Sequence, residues 1–326
     1  MRKLMYIDHF TEYNSNSYWL NAFKGYFETV IPIEILTHNQ EQLLQLIISH
    51  KPDVIHFGGS VKKEKSVSIE LYKKIREQVP KVRMTAFYGD VYYSEYNNLR
   101  LKYIDCLCVS SYTHISFKNS HYTPCPIKEE WINEEKFTKE YDIAFCGNNY
   151  SPYRHSVLKK LDEKYDLHLW GNKWDGFKNN HGPCTTEQSL NVYKKSKIAL
   201  ADVVGDYCRH SHMENKCTLN RSFFQNKICR NYNCPNFCPH IMYFSNRMII
   251  ALASGTPVVS SYRVGMEFML KNDHNILWYH DIDENKKLID ELLCNEDKGK
   301  EIGANGKDFA STYTFKNIIK KLMEEK

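Results

Sequence analysis

The stretch SNRMIIALASGTPVVSSYRVGMEF, residues 245–268, decides how the fold is interpreted. Apolar residues at helical spacing predict a helix over 246–254, which Gly-Thr-Pro then ends. A short β-branched run predicts a buried strand over 257–261, followed by a loop that carries one carboxylate, Glu267. A helix, a buried strand and a loop with a single acid are typical of the ligand-binding edge of a parallel α/β sheet.

The same alternation of short apolar runs and amphipathic segments extends along the whole chain. Strands separated by helices of this length predict parallel sheets with right-handed crossovers. The pattern begins again after a charged stretch at 128–140, which we interpret as a linker. The chain therefore predicts two doubly wound, Rossmann-like α/β domains, 1–135 and 136–314, that face each other across a cleft.

Composition and charge set the broad class. The 326 residues are 42% hydrophobic and 25% charged, which predicts a globular chain and excludes a disordered one. The net charge of +5 is spread along the chain, so it permits a polyanionic partner without indicating one. No apolar run could span a membrane, and the first ten residues, MRKLMYIDHF, lack the features of a signal peptide. We therefore expect a cytoplasmic protein.

Five of the eleven cysteines cluster in one segment, 205–242, which interrupts the α/β pattern of the second domain: Cys208, Cys217, Cys229, Cys234 and Cys238. Nearby histidines add further soft ligands: His210, His212 and His240. A small insert with little core of its own favours a structural zinc ion on these cysteines. The irregular spacing leaves an iron–sulfur cluster and a loop of free thiols open as alternatives.

Several pieces of the second half occur in a recognisable order: YDIAFCGNNYSPYRHSVLKKL at 141–161, LHLWGNKW at 167–174, the stretch from 243 to 293, and GKEIGANGKDFASTYTFKNIIKKL at 299–322. Residues 141–326 without the cysteine-rich insert resemble the C-terminal domain of GT-B glycosyltransferases. The likeness is to the group-1-like branch that includes spore-maturation-protein-B-like proteins. The resemblance implies a nucleotide-sugar domain, chemistry without a catalytic metal, and a C-terminal helix, 315–326, that crosses back to the N-terminal domain. The first half matches only in its α/β rhythm, as expected for an acceptor-binding domain.

The donor would be a nucleotide sugar of UDP or GDP type. Its diphosphate needs N–H donors and positive charge, which the turn Gly147–Asn149 and Arg247 could supply. The resemblance places a ribose-binding carboxylate at Glu267 and a base-contacting loop at 170–174. The full set of predicted donor-binding residues is Gly147, Asn148, Asn149, Arg154, Trp170, Gly171, Asn246, Arg247, Gly265, Met266 and Glu267.

A catalytic base would come from the first domain, with Asp90 as first candidate and His9 as second. The acceptor side would be shaped by Asn14, Asn16, Gly58 and Gly59, and the acceptor would be a small molecule or a polymer. Retaining family-4 enzymes carry a Glu-x7-Glu pattern that ends at the ribose carboxylate. Val259 occupies the first of these positions here, which leaves the stereochemistry open. The pair Asp281 and Asp283 is interpreted as a helix cap and not as a metal site.

These observations predict a glycosyltransferase that moves a hexose or related sugar from a nucleotide donor to an acceptor hydroxyl. Three alternatives stay open. The acceptor could be a modified DNA base, which the basic residues of the insert would suit: Lys216, Arg221, Lys227 and Arg230. The chain could instead be a non-catalytic module that binds nucleotide sugars, or an epimerase that converts the donor without an acceptor.

Overall fold

The structure, a computed structural model, describes residues 2–10, 16–58, 67–88, 102–110, 120–133, 137–149, 152–201, 244–262 and 266–324. The chain folds into two compact units. Unit 1 comprises Met1–Lys128 together with Thr314–Lys326, and unit 2 comprises Glu129–Tyr313. The cysteine-rich insert lies outside the described residues.

The helices begin where the sequence supplies polar caps. Asn39 and Thr185 each form a capping box with a glutamine three residues later, and Ser245 accepts from the backbone N–H of Met248. Asp281 accepts from the N–H groups of Asp283 and Glu284, so its predicted role as a helix cap is confirmed. The helices are α1 Asn16–Tyr26, α2 Gln40–His50, α3 Ile69–Gln78, α4 Pro152–Asp162, α5 Thr186–Lys194, α6 Asn246–Ala253, α7 Ile282–Cys294, α8 Glu296–Ser311 and α9 Phe315–Met323.

Unit 1 contains a parallel sheet of six described strands, which are β1 Lys3–Asp8, β2 Thr29–Glu34, β3 Val54–Phe57, β4 Arg83–Tyr88, β5 Cys106–Val109 and β6 Ser120–Tyr122. Their order is β2-β1-β3-β4-β5-β6, so the direction of winding changes between β1 and β3. Every residue of β3 and β5 is buried, as expected for parallel strands covered on both faces. Strand β6 ends at Tyr122, because Pro124 and Pro126 cannot donate to a ladder.

Unit 2 contains a second parallel sheet of six described strands, which are β7 Tyr141–Cys146, β8 Leu167–Trp170, β9 Asn179–Asn180, β10 Ser196–Leu200, β11 Val258–Ser261 and β12 Leu277–Tyr279. The order is β12-β11-β10-β7-β8-β9, which places the change in winding direction between β7 and β10. Two doubly wound parallel α/β units are therefore confirmed. In such sheets ligands bind beyond the carboxyl ends of the strands, at the point where the winding changes direction.

Helix α9 is part of unit 1 although it follows unit 2 in the chain. The Phe315 ring packs edge-on against Trp19 of α1, with ring centroids 5.1 Å apart. The backbone N–H of Phe315 donates to the carbonyl of Ile127, and Arg83 of β4 donates to the carbonyls of Leu322 and Glu324. The last helix thus completes the core of the first unit.

Candidate functional site

In unit 2, Arg247 of α6 lies at the point where the winding of the sheet changes direction. Its Nε donates to the carbonyl of Cys146, the last residue of β7, and its Nη1 donates at 3.2 Å to the carbonyl of Ala201, just after β10. Its guanidinium carbon lies 4.7 Å from the centroid of the Phe145 ring. These contacts fix a positive charge at the carboxyl ends of β7 and β10, where a doubly wound sheet binds ligands.

Gly147 lies directly against this arginine. A Cβ atom on Gly147 would come within 2.3 Å of Arg247 Nη2, so no larger residue fits without displacing the guanidinium. Gly171 has φ +137° and approaches the carbonyl of Gly147 equally closely, since its Cβ would lie 2.3 Å from that oxygen. Both glycines are required by close approach at the edge of the sheet.

The turn at 147–149 is joined to the loop after β8 by hydrogen bonds. The N–H of Gly147 donates to the carbonyl of Trp170 at 2.7 Å, and the N–H of Asn149 donates to the carbonyl of Asn172 at 3.0 Å. In return the N–H of Asn172 donates to Asn148 Oδ1 at 2.8 Å, and Trp174 Nε1 donates to the Gly147 carbonyl at 2.8 Å. The prediction that the turn offers its backbone N–H groups to a diphosphate needs correction, because those of Gly147 and Asn149 already have backbone acceptors.

Arg154 and Trp170 support this turn from the interior. Arg154 is fully buried, and its Nη1 donates to the Asn148 carbonyl at 2.5 Å. The Trp170 side chain is buried and stacks on His181, with ring centroids 4.3 Å apart. Both residues therefore hold loops in place in this structure.

The predicted ribose carboxylate, Glu267, lies in a 3-10 turn, Met266–Phe268, after β11. The hydroxyl of Tyr262 donates to its carboxylate, at 3.2 and 3.3 Å from the two oxygens. Met266 is buried and anchors the turn. Asn246 is the exposed first residue of α6, beside Arg247.

Two thiols near Arg247 were not singled out from the sequence. Cys184 lies 3.1 Å from Ser189 Oγ and forms a hydrogen bond with the buried Cys146 thiol. The bond from Cys146 lowers the pKa of Cys184 to about 7, against the effect of burial, and Ser189 and the charge of Arg247 add to the shift. Burial chiefly raises the pKa of Cys146. Cys184 is thus the more acidic thiol of the pair.

In unit 1, the carboxyl ends of three strands bring Asp8, Glu34 and Gly58 to the same edge of the sheet. Asp8 ends β1, Glu34 ends β2, and Gly58 follows β3. The carboxylate of Asp8 is buried and accepts from the Tyr6 hydroxyl at 2.9 Å and from the backbone N–H of His9 at 2.8 Å. The predicted residues His9 and Gly58 therefore both contact Asp8. Neither Asp8 nor Glu34 was singled out from the sequence. The signal that could have found Asp8 is its position at the end of the apolar run KLMYID.

The His9 ring contacts Glu34, with Nδ1 lying 3.1 Å from Oε1. Burial opposes ionisation of Glu34, but hydrogen bonds from the N–H groups of Leu36 and Phe10 and from His9 outweigh it and lower its pKa. His56 of β3 differs, because it is buried beside Thr85 and burial lowers its pKa to about 3. At neutral pH Glu34 is therefore charged and His56 is not.

The remaining predicted residues lie outside the described part of the chain, namely Asp90, Asn14, Gly59, Gly265 and the five cysteines of the insert. Asn16 is the first residue of α1. Among the residues that the structure does describe, no group of three or more His, Cys, Asp or Glu side chains is arranged to hold a metal ion. Within the same described residues, no helix has the length and apolar character to cross a bilayer.

Solved structures with this fold share little sequence with the chain. Anabaena Alr3699/HepE in complex with UDP-glucose superposes with a TM-score of 0.65 at 10% identity, over 99% of this chain and 98% of that one. Sucrose-phosphate synthase from Thermosynechococcus elongatus gives 0.62 at 12% identity, over 99% and 97%. An α-glucosyltransferase in complex with UDP-glucose and DNA containing an abasic site gives 0.59 at 12% identity, over 99% and 100%. At sequence identities of 10–12%, these superpositions establish the fold alone.

A comparison with curated proteins finds no match. The family described as "Glycosyl transferase-like" matches residues 154–324, just over half of the chain. The matched range includes Arg154, Trp170, Arg247 and Glu267 and ends one residue after α9. The chain therefore belongs to the glycosyl transferase-like family and is a glycosyltransferase with the two-sheet α/β fold of GT-B enzymes.

Proposed function

We propose that the protein transfers a sugar from a UDP-sugar to a hydroxyl group of a small-molecule or polymer acceptor. The observation that carries this proposal is the position of Arg247 at the change in winding direction of the second sheet. The HepE structure, which shares the fold, is a complex with UDP-glucose and supports a uridine nucleotide over the GDP alternative.

Arg247 would stabilise the diphosphate of the donor and, during transfer, the negative charge of the departing UDP. A guanidinium already fixed by two backbone carbonyls needs little reorganisation to do this. A fixed cation at this position also removes the need for a catalytic metal. Transfer activity should therefore need no added Mg²⁺ or Mn²⁺.

Glu267 would accept hydrogen bonds from the two ribose hydroxyls. A carboxylate has acceptor sites for both, and the Tyr262 hydroxyl keeps its oxygens oriented. Asn148 and Asn246 would add polar contacts. Gly147, Asn149, Arg154, Trp170, Gly171 and Met266 would act mainly by shaping the loops that carry these groups. Gly265 remains a predicted contact.

The acceptor would bind at the carboxyl edge of the first sheet, where Asp8, His9 and Gly58 lie together. His9 and Asp90 are the proposed candidates for the base, and Asn14, Asn16 and Gly59 remain predicted acceptor contacts. A modified base in DNA is a second candidate acceptor, because one solved structure with this fold contains DNA. A DNA acceptor predicts binding that weakens steeply as salt is raised, whereas a neutral acceptor predicts little dependence.

A structural zinc on Cys208, Cys217, Cys229, Cys234 and Cys238 stays part of the proposal, and metal analysis of the purified protein tests it. The cytoplasmic location also belongs to the proposal, and cell fractionation tests it.

The deciding experiment is a thermal-shift series with UDP, GDP, ADP and their common sugar conjugates. A nucleotide that binds only the folded protein raises its melting temperature by mass action. We expect UDP and one UDP-sugar to raise it, and GDP and ADP to leave it unchanged. A response to GDP alone would overturn the uridine assignment, and no response at millimolar concentrations would overturn the proposed donor site. Conversion of the donor to an epimer without acceptor would favour the epimerase alternative.

A further inference from the structure

We propose that Cys146 and Cys184 are a site of oxidative modification, which a peroxide converts to a disulfide, and that this modification strengthens UDP binding at Arg247. The disulfide itself is independent of the proposed function, whereas its effect on UDP rests on that function. Separate measurements test the two parts.

The two thiols lie together at the carboxyl edge of the second sheet. Cys146 is the last residue of β7, and Cys184 lies two residues before α5 begins. Their side chains form a hydrogen bond with each other, and both contact the hydroxyl group of Ser189, whose Oγ lies 3.1 Å from Cys184 Sγ. Both cysteines are free thiols. Two thiols in contact need only a small approach to form a disulfide.

Cys184 has the properties of the thiol that reacts first. It is partly exposed, whereas Cys146 is 5% exposed. The bond from Cys146 lowers the pKa of Cys184 to about 7 against the effect of burial, and Ser189 and Arg247 add to the shift. A large share of Cys184 is therefore thiolate at neutral pH, which is the form that peroxides oxidise.

Cys146 is placed to react second. Burial chiefly raises its pKa, so it remains a thiol while Cys184 is oxidised. Its backbone is fixed on both sides, because its N–H donates to the Tyr193 hydroxyl at 3.2 Å and its carbonyl accepts from Arg247 Nε. Closure of the disulfide should therefore move the segment 181–185 between β9 and α5, and leave Arg247 in place.

The reaction balances with hydrogen peroxide as the oxidant. The Cys184 thiolate attacks one peroxide oxygen, the O–O bond breaks, and the departing hydroxide takes up the proton that Cys184 released and becomes water. The sulfur of Cys146 then attacks the sulfenic acid formed on Cys184. The S–O bond breaks, and the hydroxide leaves as water with the proton of the Cys146 thiol. Two thiols and one peroxide thus give a disulfide and two molecules of water.

The disulfide removes a charge from the neighbourhood of the donor site. The positive charge of Arg247 favours the Cys184 thiolate, and Arg247 is the residue proposed to bind the diphosphate. By reciprocity, the thiolate weakens the attraction of Arg247 for another anion. A disulfide is uncharged, so oxidation should strengthen UDP binding at any pH where the reduced Cys184 is ionised.

A second pair of thiols, in β5, provides an internal control. Cys106 and Cys108 point to the same face of the strand and are 3% and 0% exposed. The hydrogen bond from Cys106, together with burial, raises the pKa of Cys108. This pair has neither the access nor the acidic thiol of the pair in unit 2, so we expect it to stay reduced.

Peptide mapping without reductant tests the disulfide. The reduced protein would be treated with hydrogen peroxide at pH 7.5, and the remaining thiols would be blocked with N-ethylmaleimide before digestion. We expect the peptides of Cys146 and Cys184 to be linked, and dithiothreitol to separate them. The peptide of Cys106 and Cys108 should carry the blocking group. A bond from Cys184 to any other cysteine, or oxidation of Cys184 no faster than that of Cys106 and Cys108, would overturn the inference.

Two variants separate the roles of the thiols. Cys146→Ala should leave Cys184 as a sulfenic acid, which dimedone traps, because the second thiol is missing. Cys184→Ser should leave Cys146 unmodified. Cys294→Ser is the matched control, since it removes an exposed cysteine of the same unit and should form the disulfide as the wild type does. Loss of the disulfide in this control would contradict the assigned pair.

Calorimetric titration with UDP tests the effect on the donor site. At pH 8 we expect the oxidised protein to bind UDP about 5-fold more tightly than the reduced protein. At pH 6 the reduced Cys184 is largely uncharged, so the two forms should bind UDP equally. Cys184→Ser carries no thiolate, and it should bind UDP like the oxidised protein with or without peroxide.

Equal affinities at pH 8, or the same difference at both pH values, would overturn the effect of oxidation on UDP binding. If neither form binds UDP, the proposed function fails as well, and the peptide map still decides whether the disulfide forms.

Discussion

Asp8 and Gly58 meet at the point where the winding of the first sheet changes direction, and a Cβ on Gly58 would lie 1.7 Å from Asp8 Oδ2. The carboxylate has no room to retreat, because it is 1% exposed and is held by the Tyr6 hydroxyl. The end of β3 therefore requires a glycine for reasons of packing, independent of backbone angles.

Replacement of this glycine tests the contact. Gly58→Ala should lower the free energy of unfolding by about 1–3 kcal/mol, because the new methyl group overlaps the Asp8 carboxylate. Urea denaturation measures the change. Gly25→Ala is the control, since no heavy atom lies within 4 Å of its Cβ position and alanine favours its helix. A Gly58→Ala protein as stable as the control would contradict the close contact.

Arg247 is predicted to affect both stability and nucleotide binding. Arg247→Lys keeps the charge but cannot bridge the carbonyls of Cys146 and Ala201, so we expect a loss of about 1–3 kcal/mol of stability. Affinity for UDP should fall about tenfold or more, because the charge is no longer fixed at the strand ends. Thermal denaturation and calorimetric titration give the two values.

Arg76 offers a matched control for this variant. In unit 1 it donates to the carbonyls of Val82 and Tyr103, much as Arg247 does in unit 2. Arg76→Lys should lose comparable stability and bind UDP normally. Equal UDP affinity in both variants would argue against a role for Arg247 in the donor site.

Glu267→Gln should weaken binding of UDP-sugars by about 10-fold, because a charged acceptor of the ribose hydroxyls is replaced by a neutral one. Stability should change little, since Glu267 is exposed. Glu291→Gln, which alters an exposed contact to Lys298 in the same unit, should leave binding unchanged. If Glu267→Gln binds UDP-glucose as tightly as this control does, the ribose assignment is wrong.

Cys184 should react with iodoacetamide at a rate that rises through about pH 7 and levels off above it. The thiolate is the reactive form, and the bond from Cys146 is the main cause of its lowered pKa. Mass spectrometry of the alkylated peptide, with the peptide of the exposed Cys294 as internal reference, follows the rate. Ser189→Ala removes a second stabilising contact and should move the midpoint upward. A Cys184 rate that still rises steeply above pH 8.5 would contradict the predicted shift.

The regular alternation of the chain was enough to predict both sheets, because buried parallel strands such as VIHF and CLCV stand out from their amphipathic neighbours. Helix α8 was not predicted, since Gly299, Gly303 and Gly306 lower its intrinsic helix propensity. The structure shows why α8 contains glycines, because the helix packs closely against a neighbouring backbone segment. A Cβ on Gly303 would lie 2.1 Å from the Gly255 carbonyl, so the helix runs against the turn after α6. Strand β9 has only two residues and no apolar pattern to mark it.

Single candidate residues could be selected from the sequence when they stand in a recognisable stretch. Contacts between two residues distant in the chain could not. Arg247 and Glu267 stand in recognisable stretches of sequence. The contact between His9 and Glu34 spans 25 positions and depends on the register of two strands, which no local pattern encodes. The same holds for the bonds that tie the turn at 147–149 to the loop after β8.

The return of Thr314–Lys326 to unit 1 has a consequence for synthesis on the ribosome. The first unit to emerge lacks the Phe315 ring that packs on Trp19 until the whole of Glu129–Tyr313 has been translated. Unit 2 needs no residue beyond Tyr313, whereas the core of unit 1 is completed only once Thr314–Lys326 has been translated.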